Sequence, residues 1–416
     1  MLKSKLSKYK KKNEFELMLE KGKKLFNNME YRKAIILFNK LTKTFPNDPR
    51  SWRQKSRTLS RLGRYKEALV SIDRAIKLDP ANANGWNIKG AIFMRAKKYS
   101  NSLNMFDKSI ELDPNNWKPW ANKSVAYYKL NDLPSALKNC NKAIELNRTD
   151  PSLWLQKGAI LGKSNDLKNA LFNFDKAVKL EPTNSEAWAA KGSTLLFLED
   201  NNEAVKVLTK ATKLDSKSSD SWYFLGMAMS NLDRNKEALN AFNRAIKENP
   251  NDKNAIYQKG SILSKLHRYK EAISIFEKEL KTEPKNHRLL FAQMSAHILS
   301  RNFKEALMTS KKMIRFNSKI PHVWSDHGYI LLNLGEYAEA LRFLKNATEL
   351  DPKNATVWYN KACALARLNK IENAIDALTV AVALNPKFKT SMSTDPDFQN
   401  IVKTSEFKEL TKKQTV

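Results

Sequence analysis

Tryptophans recur along the chain at a fixed spacing, and this regularity constrains the fold more than any other feature. Eight of the nine lie at positions 52, 86, 120, 154, 188 and 222, and again at 324 and 358, so every gap between these eight is 34 residues or a multiple of 34. A constant period of this length is typical of one small structural unit that is stacked many times. Counting from Trp154 gives eleven units without an insertion, which cover 15–388 and begin at 15, 49, 83, 117, 151, 185, 219, 253, 287, 321 and 355.

Each unit has the residue spacing of two helices joined by a short turn. The letters WLQKGAIL, from residue 154, place Trp, Gly and Leu at i, i+4 and i+7, which is one face of a helix. The letters ALFNFDKA, from residue 170, repeat this spacing with Ala, Phe and Ala. GKSND lies between the two segments as a turn, and Pro182 ends the second helix because proline cannot continue it. The pattern therefore predicts a helical hairpin in every unit.

This pattern resembles the tetratricopeptide repeat family. The stretch WLQKGAIL…NALFNFDKAVKLEP carries the family's Trp, Gly, Ala, Phe, Ala and Pro at the expected spacings, and most units keep at least four of these six residues. The resemblance, to the prokaryotic multi-repeat type without an attached catalytic domain, implies an all-α fold. It implies an α-solenoid, a right-handed superhelix of eleven 34-residue helix-turn-helix repeats, whose first helices line a concave groove that usually holds a peptide or protein segment.

Two short segments lie outside the predicted array. Residues 1–14 form a basic N-terminal tail, which we expect to be a disordered solubilising segment unless it holds an acidic partner or nucleic acid. Residues 389–416 form a C-terminal capping segment, because the ends of such arrays need a cover for their last apolar face. Phe398, Ile401, Val402 and Leu410 are the residues expected to pack on the last hairpin, as a capping helix or a pair of helices.

One region of the array departs from the repeat pattern. The unit 287–320 has Leu290, Met294, Ser310, Met313 and Ser318 at signature positions, and the preceding unit 253–286 also lacks the usual residues at two of them. One interpretation is sequence drift with compensating packing. The other is a local change of curvature at this joint.

The chain is strongly basic, with 74 Lys and Arg against 43 Asp and Glu and a formal net charge of +31. Charge of this size favours anionic partners, although it says nothing about the fold. A general enrichment in Lys and Asn, as in proteins from A+T-rich genomes, explains the same excess without any function. Both interpretations stay open at this point.

Nothing in the sequence indicates an enzyme. The uninterrupted register leaves no room for an inserted catalytic domain, so we expect no catalytic residues. Cys140 and Cys363 have no neighbouring Cys or His in a zinc-binding spacing, and the five histidines do not converge, so we expect no metal and no cofactor. The absence of a signal peptide and of any run of about 18 apolar residues predicts a cytoplasmic protein without a membrane span.

A helical wheel identifies the residues that should face the groove. At 100° per residue, the second, fifth, ninth and thirteenth residues of each unit lie opposite the core stripe of the first helix. In the unit that begins at 49 all four are arginines, namely Arg50, Arg53, Arg57 and Arg61. Neighbouring units add Lys23, Asn84, Asn87, Arg95, Lys118, Asn122 and Lys129. The set predicts a groove that binds a carboxylate or phosphate, because arginine forms bidentate contacts to both, with a solvated basic face as the alternative.

Later units place apolar and aromatic residues at the same groove positions. The predicted anchors are Tyr223, Met227, Tyr257, Arg288, Phe291, His322 and Tyr359. Exposed rings in a concave surface are typical anchors for a bound partner. The alternative is that these rings pack between adjacent helices. If both patches bind, the ligand is acidic toward one end and apolar toward the other.

A lysine recurs three residues after the tryptophan, as in Lys89, Lys123, Lys157 and Lys191, but the wheel places it roughly 170° from the groove centre. We therefore expect it to be structural, with its alkyl stem over apolar surface and its ammonium near water or an acidic neighbour. For the whole chain we favour a noncatalytic scaffold that binds a peptide or protein, acidic in part, in the groove. Nucleic-acid binding through the basic surface is the alternative.

Overall fold

The computed structural model describes residues 2–316 and 321–411, with side chains from residue 13 onward. In this described part the chain is all-α, without a strand. None of the helices there is both long and apolar enough to cross a membrane. Consecutive helices pack as pairs, and the chain divides into two compact units, Met1–Ser216 and Lys217–Val416.

The first unit contains six helix pairs. The first helices of these pairs are α1 (Leu2–Asn27), α3 (Pro49–Arg61), α5 (Ala83–Arg95), α7 (Trp117–Lys129), α9 (Pro151–Lys163) and α11 (Ser185–Phe197). Their partners are α2 (Tyr31–Thr44), α4 (Tyr65–Leu78), α6 (Tyr99–Leu112), α8 (Leu133–Leu146), α10 (Leu167–Leu180) and α12 (Asn201–Leu214). The segment 2–14, which we predicted to be a disordered tail, is instead helical backbone at the start of α1.

The second unit contains five pairs and a C-terminal segment. The first helices are α13 (Ser219–Asn231), α15 (Lys253–Lys265), α17 (His287–Leu299), α19 (Pro321–Asn333) and α21 (Ala355–Arg367). Their partners are α14 (Asn235–Glu248), α16 (Tyr269–Thr282), α18 (Phe303–Phe316), α20 (Tyr337–Leu350) and α22 (Ile371–Leu384). The C-terminal segment follows with α23 (Phe388–Met392), a 3-10 turn (Pro396–Phe398) and α24 (Ser405–Thr411).

Local polar contacts set where each helix begins and where the chain turns. Asp150 accepts a hydrogen bond of 2.9 Å from the backbone N–H of Ser152 and caps α9, and Asp166 caps α10 in the same way. Between these helices Asn165 has φ of 64°. Equivalent turn residues in the described chain also have positive φ, between 56° and 81°, and most of them are not glycine. This left-handed conformation turns the chain back within a few residues.

Glycine in the first helix is paired with a large residue in the second. A Cβ atom added at Gly158 would lie 2.5 Å from Cε1 of Phe174, which is closer than any real Cβ contact. Gly90 stands in the same relation to Phe106, and Gly192 to Leu208. The missing side chain therefore lets the two helices cross closely, with the large residue in the vacated space.

The unit 287–320 exchanges the sizes of this pair. Met294 stands at the glycine position and Ser310 at the position of the large residue, and both are fully buried. Ser310 Oγ lies 2.8 Å from Nδ1 of the buried His327 in the next pair, so the polar atom has a partner. Large and small residues have changed places and both are buried, which agrees with the first of the two interpretations, sequence drift with compensating packing. Residues 317–320, including the predicted signature residue Ser318, lie outside the described part.

The tryptophans join successive repeats through their indole N–H group. Nε1 of Trp154 donates a 2.8 Å hydrogen bond to the backbone oxygen of Arg148, six residues earlier. Trp52, Trp86 and Trp188 make the same contact with the residue six positions before them, at 2.9–3.0 Å. Each ring thus satisfies a carbonyl just after the preceding second helix, where the backbone has no helical partner. The 34-residue period of tryptophan follows from this connection.

The recurring lysines are structural, as predicted. Nζ of Lys89 lies 2.8 Å from a carboxylate oxygen of Asp73 on the preceding helix, and Lys191 makes the equivalent ion pair with Asp175 at 2.7 Å. The stem of Lys89 also runs beside Trp86, whose ring centre is 5.9 Å from the ammonium. Lys89 and Lys191 therefore connect neighbouring helix pairs.

The C-terminal segment covers the last helix pair. Phe398 and Ile401 are fully buried, and Val402 and Leu410 pack partly buried against the same cluster. The segment consists of two short helices and a 3-10 turn, where one capping helix or a pair of helices was expected. Residues 412–416 of the predicted capping segment lie outside the described part.

Candidate functional site

The first helices of four consecutive pairs line a cavity of about 330 Å³ in the first unit. We call it the arginine pocket. Its lining residues come from α1, α3, α5 and α7 and are Phe26, Arg57, Ser60, Arg61, Asn84, Asn87, Ile88, Ala91, Ile92, Arg95 and Lys118. The structure thus brings together six of the residues predicted for an anion-binding groove, from three separate repeats.

The charge of the arginine pocket is entirely positive. Its lining includes Arg57, Arg61, Arg95 and Lys118 but no Asp or Glu. Within the described residues none of these four cations forms an ion pair with a carboxylate. Cations without an ion pair are common on the described helices, so the distinct feature of this cavity is that four of them line it together without a lining carboxylate.

The pocket arginines repel one another. Loss of hydration lowers the pKa of Arg57, and the positive charge of Arg61 lowers it further. For Arg95 loss of hydration is again the main cause of a lowered pKa, with additional repulsion from Arg61 and Arg57. Arginine stays protonated in proteins, so these groups keep their charge and their mutual repulsion. An anion that enters the pocket would relieve it.

Neutral side chains complete the arginine pocket. Nδ2 of Asn122 donates a 2.9 Å hydrogen bond to Oδ1 of Asn87, so the Asn87 amide keeps its own N–H groups as donors. The guanidinium of Arg57 lies 4.9 Å from the ring centre of Phe26, which holds it by a cation–π contact. Ser60 is only 5% exposed, and its Oγ has no hydrogen-bond partner in the described part of the chain. The pocket therefore contains one buried hydroxyl whose bonding is unfulfilled.

Sequence reasoning missed Phe26 and Ser60, since both occupy the twelfth position of their units, outside the four groove positions of the wheel. The cavity reaches between adjacent first helices, so residues beside the groove stripe also line it. A comparison of the twelfth residues of neighbouring units could have suggested Phe26 and Ser60.

Other predicted anion-binding residues are already partnered. Arg50 lies 2.8 Å from Asp48 and 2.9 Å from Glu16, and these carboxylates raise the pKa of its guanidinium. Arg53 pairs with Asp79 at 3.2 Å. The structure therefore does not bring these two arginines into the arginine pocket.

The remaining predicted cations do not line the pocket. Lys23 pairs with Glu20 at 2.6 Å, within its own helix. Lys129 lies over the ring of Tyr128 at 5.8 Å, and Lys163 reaches the same ring at 4.6 Å from the next repeat. Lys163 was not predicted, although it is the thirteenth residue of its unit, the position that Arg61, Arg95 and Lys129 hold in the three preceding units.

In the second unit the predicted aromatic residues form contacts between neighbouring first helices. The guanidinium of Arg288 lies 3.8 Å from the ring centre of Tyr257, and Phe291 meets His322 edge-to-face at 5.1 Å. Phe291 is 36% exposed, and Arg288 and His322 are exposed as well. We call Tyr257, Arg288, Phe291 and His322 the aromatic strip.

Three other predicted anchors belong to the packed interior to different degrees. Tyr223 and Met227 are partly buried against the core cluster that contains Phe242. Tyr359 is only 8% exposed, stacks on Phe388 at 4.5 Å and lies beneath the C-terminal segment. The prediction of Tyr359 as an exposed anchor is therefore corrected, because the capping segment covers its ring.

The C-terminal segment also brings acidic residues to the buried Cys363. In the described part of the chain, Cys363, Asp395 and Asp397 are the one group with metal-ligand chemistry, and sequence spacing did not indicate it. The Tyr359 hydroxyl donates a 2.7 Å hydrogen bond to Asp395, and Arg367 lies 3.8 Å from Asp397. These contacts explain how the segment is held on α21.

The family comparisons match repeat models along the chain. A tetratricopeptide repeat model matches residues 53–116, 231–287 and 325–387, and a second tetratricopeptide repeat model matches 105–138. The model of subunit 3 of the anaphase-promoting complex, cyclosome, matches 163–245. No curated protein matches the chain significantly.

Three solved structures that align with this chain have TM-scores of 0.41 or lower. YrrB, described as a TPR protein with an unusual peptide-binding site, is 22% identical, with 45% of this chain and 97% of YrrB covered at a TM-score of 0.39. Yeast Tom70 is 16% identical, with 95% and 100% covered at 0.39. A thermophilic TPR protein from Thermus thermophilus is 19% identical, with 44% and 99% covered at 0.41. Together with the helix pairs and the family models, the repeat pattern establishes that the chain is a multi-repeat member of the tetratricopeptide repeat family.

Proposed function

We propose that the chain is a noncatalytic cytoplasmic scaffold whose arginine pocket holds an acidic segment of a partner protein. Tetratricopeptide repeats generally mediate protein–protein interactions and are typically noncatalytic, and solenoids of this kind offer extended binding surfaces along their helices. The observation that carries the proposal is the group of four unpaired cations in one cavity without a lining carboxylate.

The chemistry of the pocket favours a carboxylate or another oxyanion over a neutral peptide. Arginine forks present parallel N–H donors, which match two oxygens of one anionic group. Asn84 and Asn87 add amide donors beside Arg61 and Arg95. A charge-assisted hydrogen bond contributes roughly 1.5–3 kcal/mol, so two or three such contacts can hold a short acidic segment.

The aromatic strip is proposed as a separate contact site in the second unit. Its rings are partly exposed, and Arg288 covers one of them, so it suits an apolar or aromatic side chain of a partner. Tyr223 and Met227 would support this site from the side of the core.

A direct test uses the full chain and two short probes. Hexaglutamate peptide and a single-stranded DNA hexamer, each carrying a fluorophore, are titrated at moderate salt by fluorescence anisotropy. The double variant Arg61→Glu with Arg95→Glu is expected to weaken peptide binding by at least about a hundredfold, since each lost contact contributes about 1.5 kcal/mol.

The matched control reverses the charge of two arginines outside the arginine pocket. Arg234 and Arg268 are exposed and pair with Glu237 and Glu271, and neither lines the arginine pocket. The variant Arg234→Glu with Arg268→Glu should retain peptide binding. Equal losses in both variants would mean that only overall charge matters, and tighter binding of the DNA than of the peptide, lost in the pocket variant, would favour the nucleic-acid alternative.

A further inference from the structure

The arginine pocket holds more positive charge than a single carboxylate can neutralise. Arg57, Arg61, Arg95 and Lys118 bring four charges to one cavity, and its lining residues include no acid. A Glu or Asp side chain supplies one negative charge and two oxygens. A phosphorylated Ser or Thr carries about two negative charges near pH 7 and three acceptor oxygens.

The donors of the pocket also suit a group with several oxygens. Three arginines and Asn87, all with donor side chains, line the same cavity. Four donor groups match the three acceptor oxygens of a phosphate monoester better than the two of a carboxylate, which agrees with the charge count.

We propose that the arginine pocket selects a phosphorylated serine or threonine side chain of a partner protein over an acidic one. The inference rests on the proposed function of this pocket and specifies its ligand. Binding of the partner would then depend on its phosphorylation, because the pocket distinguishes two charges from one.

The test compares three peptides that differ at one residue. Each has the sequence Gly-Ala-Asp-X-Asp-Ala-Gly with a fluorophore, and X is phosphoserine, glutamate or serine. With the full chain we expect the phosphoserine peptide to bind at least about tenfold more tightly than the glutamate peptide, which corresponds to one extra charge-assisted contact. Arg61→Gln and Arg95→Gln should each remove most of this preference, whereas Arg234→Gln, outside the pocket, should leave it intact.

A pH series provides a second measurement. The second ionisation of a phosphate monoester lies near pH 6, so affinity for the phosphoserine peptide should rise between about pH 5.5 and 7.5. The carboxylates of the glutamate peptide are ionised over this range, so affinity for that peptide should stay constant.

The outcomes separate the two proposals. If phosphoserine and glutamate peptides bind equally and both lose affinity in the pocket variants, the phosphate preference is refuted while the acidic-segment function remains. If none of the three peptides binds, both proposals fail. If inorganic phosphate displaces the phosphoserine peptide at an equal concentration, the pocket binds free phosphate, and the inference about a phosphorylated partner is wrong.

Discussion

The close crossing of helices in each pair leads to a prediction that a single methyl group can test. In α9, Gly158→Ala would place a Cβ atom 2.5, 2.7 and 2.9 Å from three carbons of the buried Phe174 ring. Overpacking of a rigid core costs about 1–3 kcal/mol. Alanine gains up to about 1 kcal/mol over glycine from helix propensity. The net effect is a loss of up to about 2 kcal/mol, visible as a lower urea midpoint and weaker amide protection in α9 and α10.

The same helix contains its own control. Gly162 lies one turn further on, and a Cβ added there would meet only Cβ of Ala170 at 3.9 Å, an ordinary contact. Gly162→Ala should therefore stabilise the chain by about 0.5–1 kcal/mol through propensity alone. The two variants share the same chemical change, so their difference of about 1–3 kcal/mol isolates the contact with Phe174.

A double-mutant cycle identifies the partner. Another pair of this chain carries Ser124 where Gly158 stands and Cys140 where Phe174 stands, and both are fully buried. Gly158→Ser should be costly in the parent and much less so in a Phe174→Cys background, with a coupling energy of about 1–3 kcal/mol. Equal stability of Gly158→Ala and Gly162→Ala, or additive effects in the cycle, would refute the steric argument.

Three further predictions concern the turns, a buried histidine and the lysine row. Arg301 adopts φ of 58° in the turn after α17, so Arg301→Gly should raise the urea midpoint by the equivalent of about 0.5–1 kcal/mol. Burial, with the charges of Lys311 and Arg342, lowers the pKa of His327 to about 4. The unfolded chain then binds the proton first, so His327 itself lowers stability by about 2 kcal/mol from pH 7 to pH 5. Burial raises the pKa of the adjacent Asp326 to about 6, which acts in the opposite direction, so the test is a difference: between pH 7 and pH 5 the parent should lose about 2 kcal/mol relative to His327→Leu in urea titrations. Lys157→Leu should leave peptide affinity unchanged in the anisotropy assay, and a strong loss at unchanged stability would contradict the structural assignment of the lysine row.

Periodicity was sufficient to predict the all-α fold. The spacing of Trp, Gly and Phe depends on contacts within a pair or between adjacent pairs, and those contacts repeat every 34 residues, so the sequence reports them directly. The N-terminal segment was missed because a basic stretch without apolar periodicity gives no helical signal, although α1 extends back to Leu2. The sequence left open whether one helix or two form the C-terminal segment, since its packing on α21 and α22 occurs once and leaves no repeat.

The candidate site was predicted less completely than the fold. A wheel correctly indicates which side of a helix a residue occupies, and this brought Arg57, Arg61 and Arg95 into one set. It cannot show which cations have acidic neighbours elsewhere in the chain. Arg53, which pairs with Asp79, was therefore predicted to bind an anion together with the pocket arginines. Nor can it show what covers a face, and Tyr359 was assigned to an exposed surface that the C-terminal segment occupies.

The exchange of sizes in the unit 287–320 also determines how this chain can be recombined. Met294 and Ser310 take the positions that Gly158 and Phe174 take in another unit. Joining the first helix of the unit 287–320 to the second helix of the unit that contains Phe174 would therefore bring two large residues, Met294 and Phe174, together. A cut at the turn inside a hairpin therefore separates residues that depend on each other. Cuts between hairpins keep them together. Joints at 34-residue boundaries should therefore be tolerated, and joints half a unit away should fail where one of the two units is 287–320 and the other has the usual pair.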